Sequence, residues 1–271
     1  MKEKRKYAVF AVILFFLYLL FLVDLENMIR KRSAASFLSD GYLESAQFRQ
    51  QKISRKDFEE IRRVGTENWI DLVLVSISQG GFCPEKTMDI PSVLNQYKPE
   101  KFQALRRAYR AIWEDVKYFP VAAEKTYFEN TWLAERNFGA QRVHEGTDIF
   151  GKENRSGYYP VISMTDGVVE KKGWLPLGGN RIGIRAAHGG YFYYAHLSSY
   201  AKEFQTGEQV NAGDILGYMG NTGYGPEGTK GRFPVHLHLG IYIPITDQKE
   251  ISINPFYLLK IFQKNIRKYT Y

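Results

Sequence analysis

The stretch VHLHLG, residues 235–240, places two histidines two positions apart with one leucine between them. Because side chains alternate between the faces of a β-strand, His236 and His238 would point the same way, roughly 6.5 Å apart along the strand. Leu237 would then enter the opposite face, which we expect to be core. The chain has five histidines, and the two in this strand are either part of a shared site or a pair of exposed strand residues. Both rings could bind one metal ion, or one could bind it while the other acts on a substrate.

The sequence around this strand has the texture of a β domain. Between residues 131 and 243 glycine is frequent, and turn signals such as Thr165-Asp166-Gly167 separate short β-type runs. The runs are YYPVIS, GVVEKK, RIGIRAA, YFYYAHL, DILGYMG and VHLHLGIYI. They predict an antiparallel β domain over residues 118–262, ending in a short helix after Asn254-Pro255 and followed by a basic tail, 263–271.

Residues 34–117 carry helix signals. SRKD at 54–57 resembles a capping box that opens a helix through Arg63. An apolar stretch over residues 67–78 stops before Gly80-Gly81, and Pro99 starts a further helix with one apolar face. The predicted fold class is therefore α+β, with a small helical region before the β domain. We expect this region to be a module or stalk, or to bind an envelope protein partner.

The segment over residues 7–23, YAVFAVILFFLYLLFLV, is uncharged. As a helix it would rise roughly 25 Å, close to the thickness of a bilayer core. A cleaved signal peptide and a retained anchor both fit, but the nearest small-residue cluster, at 33–35, lies late for cleavage. We therefore expect residues 1–33 to form a cytoplasmic tip and a single transmembrane anchor. Basic residues on both sides favour only slightly an N-terminus inside the cell.

The composition limits the partners and the chemistry. The 271 residues carry a net charge of +8, which suits an anionic partner, but the charge is not concentrated in one stripe. No nucleic-acid motif is present, so we expect no nucleic-acid partner. Cys83 is the only cysteine, which excludes an intramolecular disulfide and a CxxC zinc site. Any metal must be held by histidine and carboxylate.

Two further motifs supply such ligands. RVHEGTDIF places His144 and Asp148 four apart, and a set of imidazoles and a carboxylate suits Zn²⁺. FYYAHLSS adds His196 at an expected strand end, where it could move protons or stabilise an oxyanion. The spacing leaves open which of His236 and His238 binds the metal. His188, in AAHGGY at a hairpin turn, is interpreted as structural.

Five motifs, in this order, resemble the lysostaphin/LytM-type zinc metallopeptidases, peptidase family M23. They are FGAQRVHEGTDI, PVISMTDGVVEKKGW, HGGYFYYAHLSS, GDILGYMGNTG and HLHLGIY, and the resemblance covers about residues 131–258. It implies a compact two-sheet antiparallel β peptidase domain with the site in a groove, and cleavage of peptide bonds in peptidoglycan. It also implies one Zn²⁺ per chain, held by His144, Asp148 and His238, with His196 and His236 catalytic.

The sequence departs from the family pattern in two places. Residues 224–235, YGPEGTKGRFPV, make the segment before HLH longer than is usual, and we expect this loop to line the groove. Phe138 stands about where some members carry a tyrosine, so Tyr193 or Tyr194 could supply an oxyanion partner instead. The helical region has no counterpart that the motifs identify.

These expectations give a membrane-anchored zinc endopeptidase that acts on the peptide of peptidoglycan. It would be a single-pass protein of the cell membrane with its C-terminal domain outside the cytoplasm, where the wall polymer lies. The alternatives are a catalytically silent or latent envelope scaffold or activator of other wall enzymes, and a zinc hydrolase that acts on some other extracellular peptide. In the latent case, the helical region would cover the groove until it is released.

Overall fold

The computed structural model describes residues 2–34, 38–64, 67–136, 142–246 and 248–269. They form an apolar N-terminal helix, a helical region and a large antiparallel sheet, which confirms the predicted α+β class. The helices are α1 (Lys2–Ala34), α2 (Ala46–Gln50), α3 (Arg55–Val64), α4 (Trp69–Gln79), α5 (Pro84–Thr87), α6 (Ile90–Tyr97), α7 (Pro99–Trp113) and α8 (Phe256–Phe262), with a 3-10 helix over Tyr42–Glu44.

Local sequence signals explain where several helices begin and end. Ser54 caps α3, because its Oγ accepts a hydrogen bond from the backbone N–H of Asp57 at 3.0 Å. Gly80 ends α4 in the left-handed conformation, with φ of 81°. Pro99 opens α7, where a missing N–H is tolerated. The helix boundaries predicted at these three places are confirmed.

The strands are β1 (Thr126–Phe128), β2 (Glu135–Arg136), β3 (Arg142–Val143), β4 (Thr147–Gly151), β5 (Pro160–Ile162), β6 (Gly167–Leu175), β7 (Gly179–Ala186), β8 (Tyr191–Tyr200), β9 (Gln209–Val210), β10 (Ile215–Met219), β11 (His236–Thr246) and β12 (Lys249–Ile253). Ten form one antiparallel sheet with the order β1-β4-β11-β8-β7-β6-β9. In that sheet β10 joins β5 to β8, and β12 borders β11, while β2 and β3 form a separate ribbon. The three histidine motifs therefore lie on or beside the adjacent strands β4, β11 and β8.

The helical region packs on the β domain and shares its hydrophobic core. Arg49 donates to the carbonyl oxygen and to Oγ of Ser252, at 3.0 and 2.7 Å. The ring of Phe58 lies 6.2 Å from that of Phe262 on α8. At Gly190 a β-carbon would stand 2.0 Å from the carbonyl oxygen of Ala111, so α7 approaches the sheet as closely as the backbones allow. The apolar face predicted for the helix that Pro99 starts is buried in this core.

His188 joins the hairpin between β7 and β8 to the end of α7. Its Nδ1 donates to Asp115 Oδ1 at 2.8 Å, and Asp115 Oδ2 accepts from the His188 backbone N–H at 2.8 Å. Its Nε2 lies 2.6 Å from Arg110 Nη2, which donates to it. These contacts agree with the structural role predicted for this histidine.

The α1 helix contains one span, Val9–Ile29, that is long and apolar enough to cross a membrane, with a mean hydropathy of 2.5. No part of its most apolar window is buried against the rest of the protein in the described residues. The span includes most of the segment expected from the sequence, residues 7–23.

Candidate metal centre and groove

Strand register brings the HxH histidines to the other motifs. His238 stands opposite Asp148 of β4 on one side and opposite Ala195 of β8 on the other. Leu237 points the other way and is fully buried. The predicted shared face of His236 and His238 is confirmed, since both Nδ1 of His238 and Nε2 of His236 approach Asp148 Oδ1, at 3.0 and 3.7 Å.

Three donor atoms form a nearly equilateral triangle. His144 Nε2, Asp148 Oδ1 and His238 Nδ1 lie 3.0 Å from one another. Three ligands of a tetrahedral zinc ion lie roughly 3.3 Å apart when each bond is about 2.0–2.1 Å. Two imidazoles and one carboxylate also form a donor set that zinc accepts. The residues therefore fit a metal ion, and three protein ligands would leave a further position open.

Neighbouring groups orient the triangle. His144 Nδ1 lies 3.1 Å from the carbonyl oxygen of Thr131, to which it can donate, and this leaves Nε2 free to bind a metal. Arg136 Nη2 donates to Asp148 Oδ2 at 2.8 Å, so that Oδ1 alone faces the histidines. Burial raises the pKa of Asp148, but the ring nitrogens of His144 and His238 beside it hold that pKa far below the usual range. Burial lowers the pKa of His144, which keeps the ring neutral, as a ligand must be.

Arg136 and Thr131 were not predicted from the sequence. Arg136 reaches Asp148 from the short ribbon of β2 and β3, whose pairing has no clear pattern in the sequence. Thr131 contributes its backbone oxygen, and any residue type carries one. Neither residue therefore gives a local signal that could have revealed it.

Gly146 lies between two of the triangle residues, and its position requires glycine. A β-carbon there would stand 2.5 Å from His238 Cε1 and 2.5 Å from the carbonyl oxygen of Leu239.

Gly146→Ala is expected to displace the His238 ring and weaken zinc binding by about 10-fold or more. Titration with a competing chelator would measure this. Gly81→Ala, where a β-carbon meets nothing within 4 Å, is the control and should keep wild-type affinity. Equal affinities for the two variants would contradict the expectation.

His196 lies beside the triangle, and not at a strand end as expected. It is within β8, at an irregularity in the pairing with β7, and its φ is 63°. A non-glycine residue in this left-handed region is strained, and such strain often accompanies function. Its ring centroid is 4.8 Å from that of His236.

Both rings have a fixed tautomer. His196 Nδ1 donates to the carbonyl oxygen of Thr222 at 2.8 Å, and His236 Nδ1 donates to that of Pro234 at 2.8 Å. Nε2 of each ring therefore keeps its lone pair. Burial lowers the pKa of His196 well below its ordinary value, and that of His236 less so. Neutral rings with a free Nε2 can accept a proton from water or return one to a leaving group.

A groove of about 1110 Å³ runs over the triangle. The loop 224–235 lines it, as predicted, through Tyr224, Phe233 and Pro234. Tyr224 stacks on the His196 ring with centroids 5.9 Å apart, and Phe233 lies edge-on to the same ring at 4.7 Å. The loop therefore also packs against the His196 ring.

The two tyrosines considered as oxyanion partners are separated by the sheet. Tyr193 lines the groove, with its ring centroid 6.0 Å from that of His238. Tyr194 points into the core, is fully buried and accepts a hydrogen bond from the Met164 N–H at 2.9 Å. Only Tyr193 can therefore meet a substrate. Phe138, which prompted the comparison, lies outside the described residues.

The groove is lined by residues between 136 and 250. None of the described residues of the helical region contributes to it, so these residues give no support to a latent form in which the helices cover the site.

A strand-borne cluster of histidines and a carboxylate, at the floor of an open groove, is an arrangement that metal-dependent hydrolases use. Comparison with known proteins places the chain within such a class. The profile of peptidase family M23 matches residues 142–255. A crystal structure from Ruminococcus gnavus ATCC 29149, described as a candidate glycyl-glycine endopeptidase lytM, is 41% identical, with a TM-score of 0.75 over 86% of this chain and 96% of that one. The chain belongs to peptidase family M23.

Two curated relatives match a smaller share. The L-Ala--D-Glu endopeptidase of Bacillus subtilis (strain 168) is 42% identical over 165 residues, 60% of this chain and 49% of that protein. Lysostaphin of Staphylococcus staphylolyticus is 36% identical over 84 residues, 30% of this chain and 16% of that protein. The chain thus spans about half the length of the first of these relatives and less of the second. The Ruminococcus gnavus structure extends the likeness well beyond residues 142–255, so the helical region does have a counterpart.

Proposed function

We propose that this chain is a zinc endopeptidase that hydrolyses peptide bonds in peptidoglycan. The observation that carries the proposal is the triangle of donor atoms 3.0 Å apart, with two further neutral histidines beside it at the floor of a groove. His144, Asp148 and His238 would hold one zinc ion per chain. The name of the Bacillus subtilis relative, L-Ala--D-Glu endopeptidase, supports a peptide substrate.

A bound zinc ion supplies Lewis-acid chemistry, which polarises a carbonyl group and makes water a nucleophile at neutral pH. His196 and His236 would do the remaining work of proton transfer. Each offers an Nε2 lone pair, and each is held in place through Nδ1 by a backbone carbonyl oxygen. Once protonated, either ring could stabilise negative charge on the substrate oxygen or protonate the amine that leaves. Arg136 would keep the Asp148 carboxylate in a fixed orientation.

We further propose that the Val9–Ile29 span anchors the protein in the cell membrane, with residues 118–262 outside the cytoplasm. The wall polymer is found only on that side, so the substrate and the orientation support each other. A basic protein with a net charge of +8 would also be attracted to an anionic wall.

Purified full-length protein in detergent, incubated with intact peptidoglycan, tests this function. We expect about one zinc ion per chain by elemental analysis, and soluble wall peptides whose new ends are identified by mass spectrometry. A chelator should stop the release, and added zinc should restore it. Zinc bound without release of peptides would favour the alternative, an envelope scaffold. The absence of both bound zinc and released peptides would overturn the enzyme proposal.

A further inference from the structure

One cation in the groove has no partner among the described residues. Arg181 lies on β7 and lines the groove. Its Nη1 is buried, yet it makes no hydrogen bond within the part of the chain that the structure describes. No carboxylate of these residues forms an ion pair with it either. A buried guanidinium nitrogen without an acceptor costs free energy, so a ligand that supplies one would bind favourably here.

The acidic residues of the groove are engaged elsewhere. Glu250 pairs with Arg185, with Oε1 and Nη1 2.7 Å apart. Glu145 accepts a hydrogen bond from Ser252 Oγ at 3.1 Å. Asp148 belongs to the donor triangle and to Arg136. The described groove therefore has no acid left to neutralise Arg181.

Tyrosines surround Arg181 and lead from it to the triangle. Arg181 shares a face of β7 with Gly183, which pairs with Tyr193 on β8 and lies beneath the Tyr191 hydroxyl. Arg181 and both tyrosines line the groove. The Tyr193 ring continues to His238, 6.0 Å away between centroids. A peptide lying across the triangle could thus extend over Tyr193 and reach Arg181.

We propose that Arg181 binds a carboxylate of the substrate peptide, which makes the groove selective for an acidic peptide. The proposal rests on the proposed function and adds the substrate class. A planar guanidinium matches a carboxylate with two parallel hydrogen bonds, and a carboxamide cannot replace both. The carboxylate has two sources, the side group of an acidic residue beside the cleaved bond or the free C-terminus of the peptide.

Three synthetic peptides separate the sources. All contain an L-Ala–D-Glu bond, the bond in the name of the Bacillus subtilis relative. One has both carboxylates free, one has the remaining Glu carboxylate as a carboxamide, and one has a C-terminal amide. The wild type should lose about 10-fold or more in kcat/KM when the carboxylate that Arg181 binds is amidated. Arg181→Gln should lose the same factor on the doubly free peptide and no longer discriminate between the three.

Two variants guard against a purely structural effect. Arg181→Lys should recover part of the selectivity, because it keeps the charge. Arg155→Gln, an exposed arginine outside the groove, should behave as the wild type. If no peptide is cut, the same three peptides are compared by calorimetric binding to the zinc-loaded wild type and to Arg181→Gln, which tests Arg181 even where the proposed hydrolysis fails. Equal treatment of all three peptides by the wild type, or unchanged selectivity in Arg181→Gln, would overturn the proposal.

Discussion

His236→Ala is expected to slow the release of wall peptides by about 100-fold or more, the usual range for loss of a general acid or base, while zinc binding persists. His236 lies outside the donor triangle, with Nε2 3.7 Å from Asp148 Oδ1, so its removal leaves the three donors in place. The rate of release and the zinc content per chain are measured on the same preparation.

His238→Ala is the matched comparison. It removes a donor that lies 3.0 Å from each of the other two, so both zinc and activity should be lost. The two histidines lie two positions apart in one strand, and this spacing alone does not distinguish their expected effects. Loss of zinc from His236→Ala, or full activity without this ring, would show that the roles are assigned wrongly.

Removal of the helical region, residues 38–117, is expected to abolish cooperative folding of the remaining chain. It would uncover Phe262 of α8, whose ring lies 6.2 Å from that of Phe58, and remove Trp113 and Phe48 from the shared core, all of them buried. Each large apolar side chain contributes about 1.5–3 kcal/mol when buried, against a total stability of about 5–15 kcal/mol for a typical protein. Urea denaturation followed by tryptophan fluorescence would measure the loss.

The control for this deletion lacks residues 2–29 instead. The apolar span of α1 has no buried window against the rest of the described chain, so its removal should leave the midpoint of denaturation unchanged. If the chain without residues 38–117 unfolds cooperatively at the same urea concentration as the wild type, the helices are a separable attachment.

The sequence was sufficient to predict which histidines share a strand face and that the residues suit a metal site. It was not sufficient to predict the geometry of that site. A period of two forces His236 and His238 onto one face, and HxxxD brings imidazole and carboxylate close together, so the candidate donors could be named. Arg136 reaches Asp148 only through a two-residue ribbon, and no periodicity can reveal so short a strand. The kink at His196 likewise depends on the pairing of β7 with β8, which is a tertiary effect.

The packing of the helical region could likewise be predicted from the sequence only in part. Its apolar faces were visible as a spacing of three and four residues, which predicts burial but not the partner. The partner is the far end of the chain, since Asn254 N–H donates to the carbonyl oxygen of Arg49 at 2.8 Å. Contacts between residues so far apart in sequence leave no local trace.

At the floor of the groove, two tyrosine rings pack directly against glycines. Substitution of one member of such a pair therefore affects the other. Tyr191 lies over Gly183, where a β-carbon would stand 1.9 Å from its hydroxyl oxygen, and the Tyr193 hydroxyl lies 2.2 Å from the β-carbon position of Gly178. A larger residue at either glycine can enter only if the facing ring moves or becomes smaller. Each glycine–tyrosine pair therefore sets the local depth of the floor, and exchanging a pair would reshape the substrate site while the register of the sheet stays the same.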